Sequence, residues 1–229
     1  MNTVGIIANP ASGRDIRRLV AYGTVFDNQE KVNIVRRILL GLVAAQTRQV
    51  FFMPDYFGIV RQAVEGLSRT QPLPLEILPA DICLTGTQID SAAAAAAMAE
   101  SGVDCIVTLG GDGTNRMVAQ ESGDIPLIPV STGTNNSFFV LVEGTIAGIA
   151  AGVVAAGAAK SPGVRRRTKK LVIEKDNRPV DIALVDAVVL DSRFIGSRAV
   201  WNVEGIRQIV LTRGEPHNIG ISSIGGHIS

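Results

Sequence analysis

The stretch from Val103 to Glu121 constrains the fold more than any other. Val103 to Leu109 is a continuous, largely β-branched run that passes directly into Gly110-Gly111-Asp112-Gly113-Thr114, and Asn115 to Glu121 then reads as a helix. A strand that is apolar along both faces is one buried between two layers, the habit of parallel sheets covered by helices. This strand is expected at the centre of such a sheet, with its carboxyl end opening into a glycine-rich turn.

The flanking sequence repeats the pattern. Val4 to Ala8, Val50 to Met53, Leu75 to Leu78 and Pro126 to Val130 are short apolar runs of strand length. Between them, Val32, Val35, Ile38, Leu39, Leu42 and Val43 recur at three- and four-residue steps within Gln29 to Ala45, and Ile59 to Leu67 and Ile89 to Glu100 also read as helices. Alanine is the best helix former, so the run Ala92 to Ala97 suits a helix lying close to a sheet. Alternating strands and helices over residues 1–143 predict an α/β fold, an open parallel sheet with helices on both faces.

Gly144 to Ala159 reads as a buried helix, too short and too rich in alanine and glycine for a membrane span of ~20 residues. Residues 144–170 make up this helix and a polar connector. From 171 to 229 the pattern becomes β-rich: Leu171 to Glu174, Val180 to Leu190 and Gln208 to Thr212 read as strands, with turns at Asp176-Asn177 and Arg213-Gly214-Glu215-Pro216. The stretch Ser222 to Ser229 then closes the chain with too few strands to cover their own edges, as in a partial domain or a fragment.

In an open α/β sheet, ligands belong at the carboxyl ends of the strands. Three strand ends here deliver small, polar loops: Asn9-Pro10-Ala11-Ser12-Gly13, Gly110 to Thr114, and Ser131 to Asn136. Glycine lets backbone N–H groups approach phosphate oxygens, and the start of the following helix adds positive potential. Thr114 and Asn115 can add side-chain donors. Asp112 would repel a phosphate unless it binds a metal ion or accepts a proton from an attacking hydroxyl, so it points to transfer. One such turn alone requires no more than a tight bend with Asp112 capping the next helix. Three together favour phosphate binding, although neither GxxxxGK[ST] nor a clean GxGxxG is present.

These residues also carry a resemblance. Val107 to Thr114 resembles the GGDGT signature of NAD kinases and of diacylglycerol and sphingosine kinases, and Asn9 to Gly13 resembles the NPxSG loop of the lipid-kinase branch. Ser131 to Phe138 occupies the place of a second nucleotide loop. The chain is similar to the ATP-NAD kinase-like family, and within it to the group named for acetoin catabolism. The resemblance implies a Rossmann-like first domain, a β-sandwich second domain, and use of ATP with Mg²⁺. It assigns Asp112 as the catalytic carboxylate, as a base or through Mg²⁺. Gly110, Gly111, Gly113 and Thr114 would surround phosphate beside Asn9 and Ser12, and Thr132, Thr134, Asn135 and Asn136 would line the other side. The Asn-Glu pair with which NAD kinases hold their substrate is replaced by Val185-Asp186, leaving Asp186 as the remaining candidate for a substrate contact.

The 22 basic and 21 acidic residues nearly balance. No strong field therefore draws the chain to nucleic acid or an acidic membrane, and a small-molecule nucleotide is the expected partner. Cys83 and Cys105 lack metal spacing, and each lies in an apolar stretch where a buried free thiol is ordinary. With no leader-like start, this predicts a cytoplasmic protein. His217 and His227 lack metal-ligand spacing, so no metal site built from a protein cluster is expected. Arg165-Arg166-Arg167 with Lys169-Lys170 reads as a solvated connector, and Trp201 as core, with Arg198 and Asn202 nearby. The expected function is an ATP-dependent kinase that phosphorylates a hydroxyl of a small substrate, with NAD one candidate. The alternatives are a non-catalytic nucleotide sensor and a lipid kinase, and the open β-rich end suggests a homo-oligomer.

Overall fold

The computed structural model describes residues 2–13, 27–69, 72–132, 136–138, 142–159, 164–191, 203–214 and 221–228. Its first unit alternates β1 (Thr3–Ala8), α1 (Asn28–Ala44), β2 (Gln49–Phe52), α2 (Ile59–Ser68), β3 (Glu76–Pro79), α3 (Ile89–Glu100), β4 (Cys105–Gly110), α4 (Asp112–Glu121), β5 (Leu127–Ser131) and α5 (Gly144–Ala155). The five strands are all parallel, in the order β3-β2-β1-β4-β5. β1 and β4 lie side by side, with Val4 opposite Cys105 and Ala8 opposite Leu109, and every residue of both strands is buried. The expected central strand is thus central. The strand order reverses between β1 and β4, and such a switch point leaves a crevice beyond the strand ends.

Alternation along β1 separates two cores. Val4, Ile6 and Ala8 join Val107 and Leu109 in the layer of α1, α2 and α5. Ile7 joins Ile106 in the opposite layer, with Met98 of α3 and Val118 of α4. On α1 the predicted apolar face is the buried one: Val32, Val35, Ile38, Leu39 and Leu42 are inaccessible to solvent. Each such side chain contributes about 1.5–3 kcal/mol relative to exposure.

The helix expected over Gly144 to Ala159 is shorter and only half buried. It ends at Ala155, and Gly157 follows in a left-handed conformation (φ 72°) that stops the helix. Ala147, Gly148, Ala151 and Gly152 face inward, while Ile146, Ile149 and Val153 are exposed. Small residues turn inward because α1 comes within backbone contact. A Cβ on Gly148 would overlap the Ile38 carbonyl oxygen and lie 2.9 Å from its carbon, and one on Gly41 would lie 2.9 Å from the Ile149 nitrogen. Among the described residues, no helix is long and apolar enough to cross a membrane.

Cys83 corrects another expectation, because it is exposed whereas Cys105 is buried. The run Ile82-Cys83-Leu84 lies past the end of β3, where Ile82 and Leu84 are half-buried and Cys83 between them is exposed. Burial above all, and then the Asp104 carboxylate, pushes the Cys105 thiol up to about 12. One thiol is therefore expected to react rapidly with a disulfide reagent at neutral pH, and the second only in denaturant. Two fast thiols in the native protein would contradict this placement.

Asn135–Ser137 and Arg167–Ser229 make up a second compact unit. In it β6 (Leu171–Lys175) pairs antiparallel with β7 (Arg178–Ala183), and β8 (Asp186–Leu190) with β9 (Ile206–Leu211). Asp176 and Asn177 form the expected turn, both with positive φ (52° and 58°), which suits a two-residue hairpin. The single strand expected over Val180 to Leu190 is instead two. The Thr212 hydroxyl donates to the Leu184 carbonyl at 2.7 Å and to the Val185 carbonyl at 3.0 Å, pinning the chain between the hairpins. The last stretch also differs: it forms a helix, α6 (Ile221–Ile228). Gly214 lets it come close, since a Cβ on Gly214 would lie 2.7 Å from the Gly225 carbonyl carbon.

Candidate functional site

The three polar loops begin where adjacent strands end. The Asn9 N–H donates to the Leu109 carbonyl at 2.9 Å, and the Thr132 N–H to the Gly110 carbonyl at 3.0 Å, so strand pairing carries on into the loops. Side chains then join the loops pairwise. Asn9 Nδ2 donates to Thr114 Oγ1 at 2.9 Å, Ser12 Oγ and Thr132 Oγ1 share a hydrogen bond of 2.7 Å, and the Phe138 N–H donates to Asp112 Oδ1 at 3.2 Å. Each pair of loops thus has at least one such bond, worth about 0.5–1.5 kcal/mol, and the loops hold one another in place. Within the first loop, Asn9 Oδ1 accepts from the Ala11 N–H at 2.9 Å, and Gly13 takes a left-handed conformation (φ 80°) that favours glycine.

The helix after β4 starts at Asp112, three residues earlier than the pattern of Asn115 to Glu121 suggests. Gly111 alone separates strand from helix. It is the N-cap, in extended conformation without a side-chain bond, so Asp112 is a first-turn residue and not the cap. A carboxylate there is favoured by the helix dipole. Gly110 has to be glycine because a Cβ would overlap Thr114, whereas a Cβ on Gly113 would meet nothing within 4 Å. Gly113 leaves the first turn open to a ligand. Asn115 is buried, and its Oδ1 is turned to β4, where it accepts from the Thr108 hydroxyl at 2.6 Å.

The structure therefore brings together Asn9, Ser12, Gly110, Gly111, Asp112, Gly113, Thr114 and Thr132. Thr114 and Thr132 lie beneath the surface, 4% and 0% exposed, where their hydroxyls brace the loops. Thr134 and Asn135 lie outside the described residues, as do Arg198, Trp201, Asn202 and His217. Asn136 groups with the second unit. Asp186 opens β8 there, opposite Leu211. Arg165, Arg166, Arg167, Lys169 and Lys170 are exposed, as is His227. Among the described residues, no group of three or more His, Cys, Asp or Glu is placed to hold a metal ion.

One residue carries almost no signal in the sequence. Lys31, on α1, is completely buried and reaches back to the loop after β1. Its single clue is a lysine one position before Val32, which starts the apolar face of the helix, and helices commonly carry lysine on their solvent side.

Residues 4–159 match the family described as the ATP-NAD kinase N-terminal domain. The chain belongs to this family. Residues 169–229 of this ATP-NAD kinase-like chain match the acetoin catabolism protein X C-terminal domain. It is 41% identical to acetoin catabolism protein X of Cupriavidus necator over 231 residues, covering 97% of this chain and 64% of that protein. The chain thus spans under two thirds of that relative's length. A solved structure from Bacillus anthracis str. Sterne, provisionally described as a diacylglycerol kinase, has 18% identity and a TM-score of 0.34, covering 82% of this chain and 44% of that one.

Proposed function

We propose that this chain binds ATP at the crossed loops of β1, β4 and β5 and transfers its terminal phosphoryl group to a hydroxyl of a small substrate, with NAD among the acceptors to be tried first. The observation that carries this reading is the ring of loop-to-loop hydrogen bonds at the strand-order switch, with one carboxylate, Asp112, in the first turn of α4. The first turns of helices receive phosphate well, and the fixed loops need no rearrangement when charge develops. In the step itself, the acceptor oxygen bonds to phosphorus, the bond to the ADP oxygen breaks, and the hydroxyl proton passes to Asp112.

The Asp112 carboxylate fits Mg²⁺, which keeps several waters and binds through one or two carboxylates plus substrate phosphates. In the alternative role Asp112 would hold that ion, which supplies neutralisation of phosphate charge, and would then not be the proton acceptor.

A second reading is a nucleotide sensor without turnover. The Asp112 bond to Phe138 favours it, because a carboxylate oxygen that braces a loop is partly spent. Isothermal titration with ATP and with NAD, each with and without Mg²⁺, tests both. The kinase reading expects Mg²⁺-dependent ATP binding that weakens in Asp112→Asn. Binding indifferent to Mg²⁺ and to Asp112 favours the sensor, and no binding of either nucleotide excludes both.

A further inference from the structure

Lys31 sits in the fourth position of α1 and is 0% exposed. Both facts are unfavourable on their own. A cation in the first turn opposes the helix dipole, and a buried ammonium has to replace its hydration with protein acceptors. The acceptors are close: Nζ lies 2.9 Å from the Asn9 carbonyl, 3.1 Å from that of Pro10, 2.7 Å from that of Ser12, and 3.0 Å from Asn28 Oδ1. Three of these four belong to the loop after β1. The Asp55 carboxylate, which accepts from the Phe57, Gly58 and Ile59 N–H groups, is also near enough to feel its charge.

Three backbone carbonyls are negative dipole ends and would repel a phosphate if they faced it. Drawn onto one ammonium, they are held to the inner side of the loop, and a cationic group that water does not reach lies beneath it, with the Asp55 carboxylate offsetting part of its charge. Meanwhile Asn9 and Ser12 keep their side chains for Thr114 and Thr132. We infer that Lys31 is a positioning residue, which orients the loop from Asn9 to Ser12 and supplies from beneath it the positive charge that lets this loop accept phosphate, without itself contacting the ligand.

This inference rests on the nucleotide reading and deepens it. The test is titration of the wild type, Lys31→Gln and Lys31→Arg with adenosine, AMP, ADP and ATP, with thermal melts of each. Glutamine keeps a donor for the carbonyls but removes the charge. The gain in affinity from AMP to ATP is expected to shrink at least tenfold in Lys31→Gln, with adenosine binding unchanged and the gain largely kept in Lys31→Arg. A merely structural lysine would instead weaken adenosine and ATP alike, and that result overturns the inference, as does an unchanged gain in Lys31→Gln. If Lys31→Gln fails to fold, a folded Lys31→Arg that retains the gain supports the role of charge, and one that loses it overturns it. A wild type that binds neither ATP nor NAD defeats the nucleotide reading itself, and this inference with it.

Discussion

Asp112→Asn is expected to lower phosphoryl transfer by about 10²–10⁴-fold while leaving the fold intact, because it removes a proton acceptor and keeps the shape. The amide oxygen of asparagine can still accept from the Phe138 N–H that Asp112 Oδ1 receives at 3.2 Å. The melting temperature should therefore move little. Alanine is different: it removes that acceptor and is expected to cost about 0.5–1.5 kcal/mol of stability as well. The check is ATP consumption across a panel of hydroxyl compounds that includes NAD, alongside thermal melts of both variants. If Asp112→Asn melts as low as the alanine variant, the carboxylate is chiefly a brace. If turnover survives in Asp112→Asn, another group takes the proton.

Gly148→Val should be the most damaging single change to stability in the first unit. On an exposed helix face, replacing glycine with a side chain usually gains up to ~1 kcal/mol from helix propensity. Here the new Cβ falls on the Ile38 carbonyl, a backbone atom that cannot rotate away, and the two branches of valine require α1 and α5 to separate. Overpacking of this kind costs about 1–3 kcal/mol, and the backbone clash puts this site at the upper end. A loss of ~3 kcal/mol corresponds to a fall of roughly 6–12 °C in Tm for a chain of this size. Urea denaturation should show a lower midpoint with an unchanged slope. A variant as stable as the wild type would mean that the helices do not meet through their backbones.

Much of the first unit is readable from the sequence because buried parallel strands leave continuous apolar runs and their helices leave a 3.6-residue period. β4 and α1 carry both signals plainly. The three loops are readable because strand ends with glycine and small polar residues are uncommon enough to be noticed together. What stays hidden depends on distance in sequence. Thr114 meets Asn9 and Ser12 meets Thr132 across more than 100 residues, and no local pattern announces either pair. Lys31 looks like an ordinary helix-surface lysine because its acceptors are backbone carbonyls, which every residue possesses. The start of α4 is misplaced for a related reason: glycine is a poor helix former, and the first turn tolerates Gly113 because its neighbours and the dipole compensate. In the second unit, the split of Val180 to Leu190 follows from Thr212 gripping two carbonyls, a contact that apolar alternation cannot express.

The pairing of β1 with β4 also sets a schedule for biosynthesis. Val4 finds Val50 on one side, but its partner on the other side is Cys105, about 100 residues later. At about 5–20 residues per second of translation, one edge of an apolar strand waits on the order of 5–20 s for the ribosome to deliver its neighbour. Until then the nascent segment presents an open edge of the kind that aggregates. The loops after β1 and β4 likewise cannot meet before this closure. The candidate site is complete only when the sheet is joined at its centre.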